Sequence, residues 1–171
     1  MNKPKLSTDI IIIVDSREKV NQHITGYLDR FPCRYEIQKL DFGDYSAKIE
    51  LGGATISLAD SVAIERKASL DELATNITKE RARFEREFER AKSKNAKVFL
   101  LIENGSWWDI VAHHYRSRLN PKSYMATLLS WQYRYNLTVS FIQQPASGMY
   151  IKGTLHYALR EELLRRQIRF D

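Results

Sequence analysis

Glu65, Arg66 and Lys67 follow one another in SVAIERKASLDELA, where a short apolar run gives way to charge. Side chains alternate across a strand, so a strand through SVAIERK sends Glu65 and Lys67 to one face and Arg66 to the other. Asp15 closes the apolar run DIIIIVD and Asp44 heads DYSAKIEL, which puts two more carboxylates at strand ends. Two acids can hold a hard divalent cation of the Mg²⁺ type through oxygen with several waters kept, and the cation lowers the pKa of a bound water. An ammonium such as Lys67 can orient that water and offset the charge that develops on a five-coordinate phosphate. Phosphodiester hydrolysis is the chemistry this set suits. Acids at strand ends are common, however, and a Glu-x-Lys face is also what a solvated ion pair of little energetic worth looks like.

The surrounding elements have to bring these residues together. DIIIIVD is continuous and β-branched, which suits a strand buried on both faces of an α/β sheet. Val20, Ile24, Tyr27, Leu28 and Phe31 then recur at helical spacing, and FPCR breaks that helix. RYEIQKL and DYSAKIEL read as strands, the second turning at Gly52 and Gly53 into a hairpin partner, ATISL. Ser69 is an N-cap three residues before Glu72, a capping box, and it opens a long helix free of Gly and Pro that frays near KSKNAK. VFLLIE is another buried strand ending at Glu103, Pro121 suits the first turn of a helix, LTVSFI is a last strand, and SGMYIKGTLHYALREELLRRQ is a terminal helix.

The chain has 171 residues, 43% of them hydrophobic and 28% charged, which fits one soluble globular domain over 1–171. A net charge of +6 favours a polyanion as partner without identifying one. Cys33 stands alone, so no internal disulfide forms, and an intracellular setting (cytoplasm or nucleoid) is expected. The opening apolar run is too short for a signal peptide or a membrane span.

Further residues fall in one order around these strands: VDSRE at Val14, GDY at Gly43, IERK at Ile64, Asp71, and RFEREFERA from Arg83. In this order the sequence resembles the XPF-type nucleases, a branch of the PD-(D/E)XK superfamily. Their signature, GD, then ERK at a distance, then Asp after three residues, is matched by Gly43, Asp44, Glu65, Arg66, Lys67 and Asp71. The resemblance runs from about residue 10 to about residue 142 and implies a restriction-endonuclease-like α/β fold, a central mixed β-sheet flanked by helices. It implies that Asp44 and Glu65 ligate Mg²⁺ or Mn²⁺ with help from the Arg66 carbonyl, that Lys67 positions the attacking water, and that Asp15 sits beside them. Asp71 matches the last acid of the signature, yet it also suits a helix N-terminal turn, where the backbone dipole stabilises a carboxylate. Arg17 and, more weakly, Glu18 match the family's first motif, although a loop ion pair would look the same.

On the long helix, Leu70, Leu73, Ile77, Phe84 and Phe88 make an apolar stripe, and Arg81 falls in its missing step. An arginine aimed inward needs a structural carboxylate or a phosphate, and the phosphate is favoured. The family carries a glycine just before that arginine, where this sequence has Glu80. Arg17, Arg66 and Arg81 are thus the candidate DNA contacts. Lys79, Arg83, Arg86 and Arg90 align on another face, but the interleaved Glu85, Glu87 and Glu89 make a solvated face the plainer reading. Trp107, Trp108, His113 and His114 carry no assigned chemistry.

The expected function is a Mg²⁺- or Mn²⁺-dependent DNA endonuclease acting on branched or flap DNA in repair or recombination. Its alternatives are a catalytically silent DNA-binding or scaffold subunit and a sequence-specific, restriction-like nuclease. The family usually adds a tandem helix-hairpin-helix module, whereas this sequence reads as a compact stand-alone form, so a separate DNA-binding partner is also considered. Tyr124, Leu128, Trp131 and Tyr135 form one apolar stripe with Met125 and Leu129 off it, and the terminal helix over about 147–167 adds Ile151, Leu155, Leu159 and Leu163. A homodimer through this end is expected, as the related domains imply.

Overall fold

The computed structural model describes residues 5–31 and 33–171; Pro32, in the expected FPCR helix break, lies outside them. Among the described residues the strands are β1 (Ile11–Asp15), β2 (Arg34–Gln38), β3 (Tyr45–Leu51), β4 (Ala54–Ser57), β5 (Val62–Lys67), β6 (Lys97–Glu103) and β7 (Leu137–Ile142). The helices are α1 (Leu6–Asp9), α2 (Gln22–Arg30), α3 (Leu70–Thr78), α4 (Arg81–Ser93), α5 (Trp107–Val111), α6 (Pro121–Tyr135) and α7 (Ser147–Arg165). One mixed sheet runs β2-β1-β3-β5-β6-β7, with β4 hairpinned onto β3. β1 pairs parallel with β2 and antiparallel with β3, while β5, β6 and β7 are parallel neighbours. The expected α/β fold with a helix-flanked mixed sheet is what the chain forms.

Two apolar layers explain why the strands are continuous runs. On one face Ala63, Leu100 and Ile102 meet Leu73, Phe84, Phe88 and Trp131 of α3, α4 and α6. On the other, Val14, Tyr45, Ile64 and Leu101 meet Ile24, Leu28, Ile151 and Leu155 of α2 and α7. Every residue of β1 is buried because both faces are covered, as a β-branched run without alternation requires. β2 is an edge strand and stays largely exposed.

Ser69 caps α3 as expected: its hydroxyl accepts from Glu72 N–H at 3.2 Å, and the Glu72 carboxylate accepts from Ala68 N–H at 2.8 Å. The expected single long helix is instead two. Thr75 and Thr78 turn their hydroxyls back onto the carbonyls of Asp71 and Ala74, a contact that weakens a helix, and α3 stops at Thr78. Lys79 and Glu80 form the joint, and Glu80 is held there by Asn76 Nδ2 at 2.8 Å.

The apolar rows near the C-terminal end pack inward. Ile151, Leu155, Leu159 and Leu163 are fully buried within the chain, as are Tyr124, Leu128 and Trp131, so these rows are already covered. The large apolar side chains that α6 leaves exposed are Leu129 and Tyr133, with Met125 half-buried one turn before Leu129. No helix among the described residues is long and apolar enough to cross a membrane.

Candidate active site

The site begins with a backbone device. Gly43 has a φ of +72°, and a Cβ there would lie 2.7 Å from the Ala63 Cβ, so only glycine fits this approach of the β3 entry to β5. β3 and β5 share a single registered pair, Tyr45 with Ile64, and then part. Asp44 bridges the parting: its N–H donates to the Ile64 carbonyl at 2.8 Å, and its Oδ2 accepts from Arg66 N–H at 2.8 Å. The Asp44 carbonyl accepts from Asp15 N–H at 2.7 Å, which ties in β1.

Glu65 and Lys67 occupy one face of β5, with Lys67 Nζ 2.7 Å from Glu65 Oε1 and 4.7 Å from the centre of the Phe84 ring. Both are buried. Burial raises the Asp44 carboxyl well above its ordinary range and the charge of Glu65 raises it further, against the pull of Lys67. Glu65 is raised too, first by burial and then by Glu87, with Lys67 acting against both. Burial works against the Lys67 charge, but Glu65 and Asp44 overcome it and hold the ammonium protonated. Lys67 thus offers a positive charge and donated hydrogen bonds beside the two carboxylates.

Arg66 points to the opposite face, as the alternation dictates. Its Nε and Nη2 form a fork on Glu103 at 2.8 and 2.7 Å, and its Nη1 donates to Glu18 at 2.8 Å and to the Val20 carbonyl at 3.0 Å. Glu18 also accepts from Tyr45 Oη, and His23 meets Glu103 at 2.8 Å. The expectation that the Arg66 side chain contacts DNA is thus corrected: a guanidinium this buried and engaged is a structural tie between β5, β6 and the loop after β1. Glu18 belongs to the same tie.

Asp15 lies beside Asp44 along the backbone, but its carboxylate is taken. It accepts from Arg17 Nε at 2.7 Å, Arg17 N–H at 2.8 Å and Leu40 N–H at 2.6 Å. Burial opposes the Asp15 charge, yet these bonds hold the carboxyl below its ordinary value. Arg17 gives its Nη2 to the Leu40 carbonyl as well and remains half-exposed, so its Nη1 donors are held ready in a fixed orientation. Asp15 orients Arg17 instead of joining the acidic pair.

Asp71 stands apart. Its carboxylate accepts from the N–H groups of Arg116 and Ser117 at 2.8 and 2.9 Å and from Arg116 Nε at 3.1 Å, pinning the loop after α5 to the start of α3. Burial pushes the Asp71 carboxyl up, but these bonds outweigh it and hold it below its usual range. Arg81 does not aim inward from the apolar stripe: the break between α3 and α4 moves it off, and its Nε pairs with Glu85 at 3.1 Å over the Trp131 ring. Its partner is a carboxylate of its own helix.

Two residues read as parts of a solvated helix face border the site. Glu87 accepts from Gly43 N–H at 3.2 Å, and its charge acts on Glu65 and Arg17. Arg83 lies one turn before Glu87, and the charges of Glu87 and Glu65 raise its pKa after that of Glu80. The only sequence signal was adjacency to Phe84 and Phe88, of which Phe84 packs against Lys67.

Among the described residues no three His, Cys, Asp or Glu side chains converge as a cage for a metal ion. The pair Asp44 and Glu65 is nevertheless a fitting donor set for a hard divalent cation that keeps most of its waters: two desolvated carboxylates repel each other beside a single ammonium.

A family model described as "ERCC4 domain" matches residues 14–151. XPF from Aeropyrum pernix shares the fold with a TM-score of 0.65 and 22% identity, over 89% of this chain and 63% of that one. XPF from the same organism in complex with DNA gives 0.64 and 19%, over 88% of this chain and 66% of that one. The chain thus spans a little under two thirds of these structures. No curated protein matches its sequence.

Proposed function

This chain belongs to the ERCC4 domain family, and on that premise we propose that it is a divalent-metal-dependent DNA endonuclease. The observation that carries the reading is the gathering of Asp44, Glu65 and Lys67 at one parting of the sheet, inside the matched segment and next to the phosphate-ready Arg17. Asp44 and Glu65 would hold Mg²⁺ or Mn²⁺, with the Arg66 carbonyl as a further oxygen. Such a cation supplies an acidified water and charge neutralisation at a phosphate oxygen.

The protein's own residues do the rest. Lys67 keeps its proton and so donates, either to the attacking water or to a non-bridging oxygen of the phosphate. Asp15 fixes Arg17 so that its Nη1 donors meet a phosphate without reorganisation. Glu87 holds the Gly43 turn that presents Asp44.

The substrate we propose is branched or flap DNA met during repair or recombination, in keeping with the DNA complex of the similar Aeropyrum pernix protein. Residues 1–171 act as one nuclease domain inside the cell. A homodimer is proposed through the exposed Leu129 and Tyr133 of α6. Cleavage of labelled flap, splayed-arm, nicked and plain duplex DNA in Mg²⁺ or Mn²⁺ tests the reading. Preference for the branched forms supports it, equal cutting of plain duplex at fixed sequences replaces it with a restriction-like enzyme, and no cutting with retained DNA binding replaces it with a silent subunit.

A further inference from the structure

Between α3 and the loop that Asp71 pins lies an open groove of about 830 Å³. Its charged lining is Lys79, Arg116 and Arg118 against one carboxylate, Asp71, which Arg116 already neutralises. Lys79 and Arg118 are exposed and engage no carboxylate among the described residues. The Arg116 side chain is 93% exposed even while its Nε touches Asp71, so its remaining donors face solvent. Unmatched cations in a groove with polar walls raise the local concentration of a polyanion.

We propose that this groove binds the phosphodiester backbone of DNA on the Lys67 side of the active site, a contact that rests on the nuclease reading above. Its position supports this: Asp71 lines the groove, and the next residue of α3, Glu72, stands 3.7 Å from Lys67 Nζ, so adjacent residues of one helix face the groove and the site. Its chemistry defines the mode. Leu119 is the one apolar side chain in a lining that holds no aromatic ring, so there is no platform for stacking bases and the contact is with phosphates, independent of sequence. Asp71 then serves as a positioning residue: by accepting from the Arg116 and Ser117 amides it fixes the loop that carries Arg116 and Arg118. This gives the last acid of the ERK-x₃-D pattern work outside the metal-holding pair.

The test is fluorescence anisotropy of labelled flap DNA in EDTA across a salt series, with Lys79→Ala/Arg118→Ala compared to wild type. As a charge-matched control, Arg160→Ala/Arg169→Ala removes two cations on the opposite side of the sheet. Each phosphate contact contributes roughly 0.7 to 0.9 to the slope of log affinity against log salt. The groove variant is expected to lose about 1 to 2 from that slope and to bind roughly 10-fold more weakly at moderate salt, with the control near wild type. Equal slopes for groove variant and wild type overturn the proposal even if the protein cuts DNA normally. Loss of slope in the groove variant of a protein that cuts nothing upholds the groove while removing the nuclease reading. Absence of any DNA binding by wild type removes both.

Discussion

Asp44 Oδ2 accepts the Arg66 N–H at 2.8 Å, so a side chain stands where the next ladder bond of β3 to β5 would otherwise form. The same six-residue strand thereby sends Lys67 and Glu65 toward Asp44 and Arg66 into a buried tie on the far face. Site and scaffold are two faces of one strand.

Gly43→Ala should damage both. The new Cβ would overlap the Ala63 Cβ, and a φ of +72° is strained for alanine, a combination that costs on the order of 1–3 kcal/mol. Thermal unfolding should show that loss, and cleavage per folded molecule should fall further because Asp44 moves. Unchanged cleavage would separate the turn from the site.

Arg66→Ala should behave as a stability lesion. It leaves Glu103 buried, and Glu18 half-buried, without their Arg66 partner, and breaking a buried pair from one side costs about 3–5 kcal/mol. Chemical denaturation measures this directly. An Arg66→Ala protein that folds as well as wild type while losing DNA affinity would return Arg66 to the DNA-binding set.

Glu103 gives the acid side of stability its sign. Its burial favours the neutral acid, but Arg66 and His23 outweigh that and hold the carboxyl at about 2. A carboxyl depressed on folding contributes stability that is fully present above its unfolded value and lost as pH falls through the folded one. The window therefore runs from about 4.5 down to about 2, with a contribution on the order of 3 kcal/mol. Unfolding midpoints against pH should fall steeply there in wild type and more gently in Glu103→Gln, which starts from a lower plateau. Parallel curves would contradict the Arg66–Glu103 tie.

Lys67→Met should lower the cleavage rate by roughly 10²–10³-fold, the usual effect of removing one aligned donor at a reacting phosphate. DNA affinity should change only a few-fold, because Lys67 is buried and paired with Glu65. Single-turnover kinetics beside equilibrium binding separates the two effects.

The sequence made the sheet and the split of β5 legible, because strand periodicity is local: Ile64 through Lys67 alternates as written, and Ser69 caps as written. The long helix was misread because its apolar spacing continues across Lys79 and Glu80, while Thr75 and Thr78 break it by hydrogen bonds that periodicity does not weigh. Arg81 was misplaced by the same error. Glu87 looked solvated because it alternates with Glu85 and Glu89 among basic residues and stands four residues after Arg83, and only the approach of Gly43 gives it a buried partner. The α7 row was legible as apolar but not as covered, since its cover, α2 and β3, lies far earlier in the chain.

The most direct test is cleavage of labelled flap DNA by wild type, Asp44→Asn and Lys67→Met, each with Mg²⁺, with Mn²⁺ and with EDTA. Cutting by wild type in either metal, abolished by EDTA and lost or nearly lost in both variants, is the expected result. Cutting that survives Asp44→Asn at the wild-type rate would contradict a centre built on Asp44, Glu65 and Lys67.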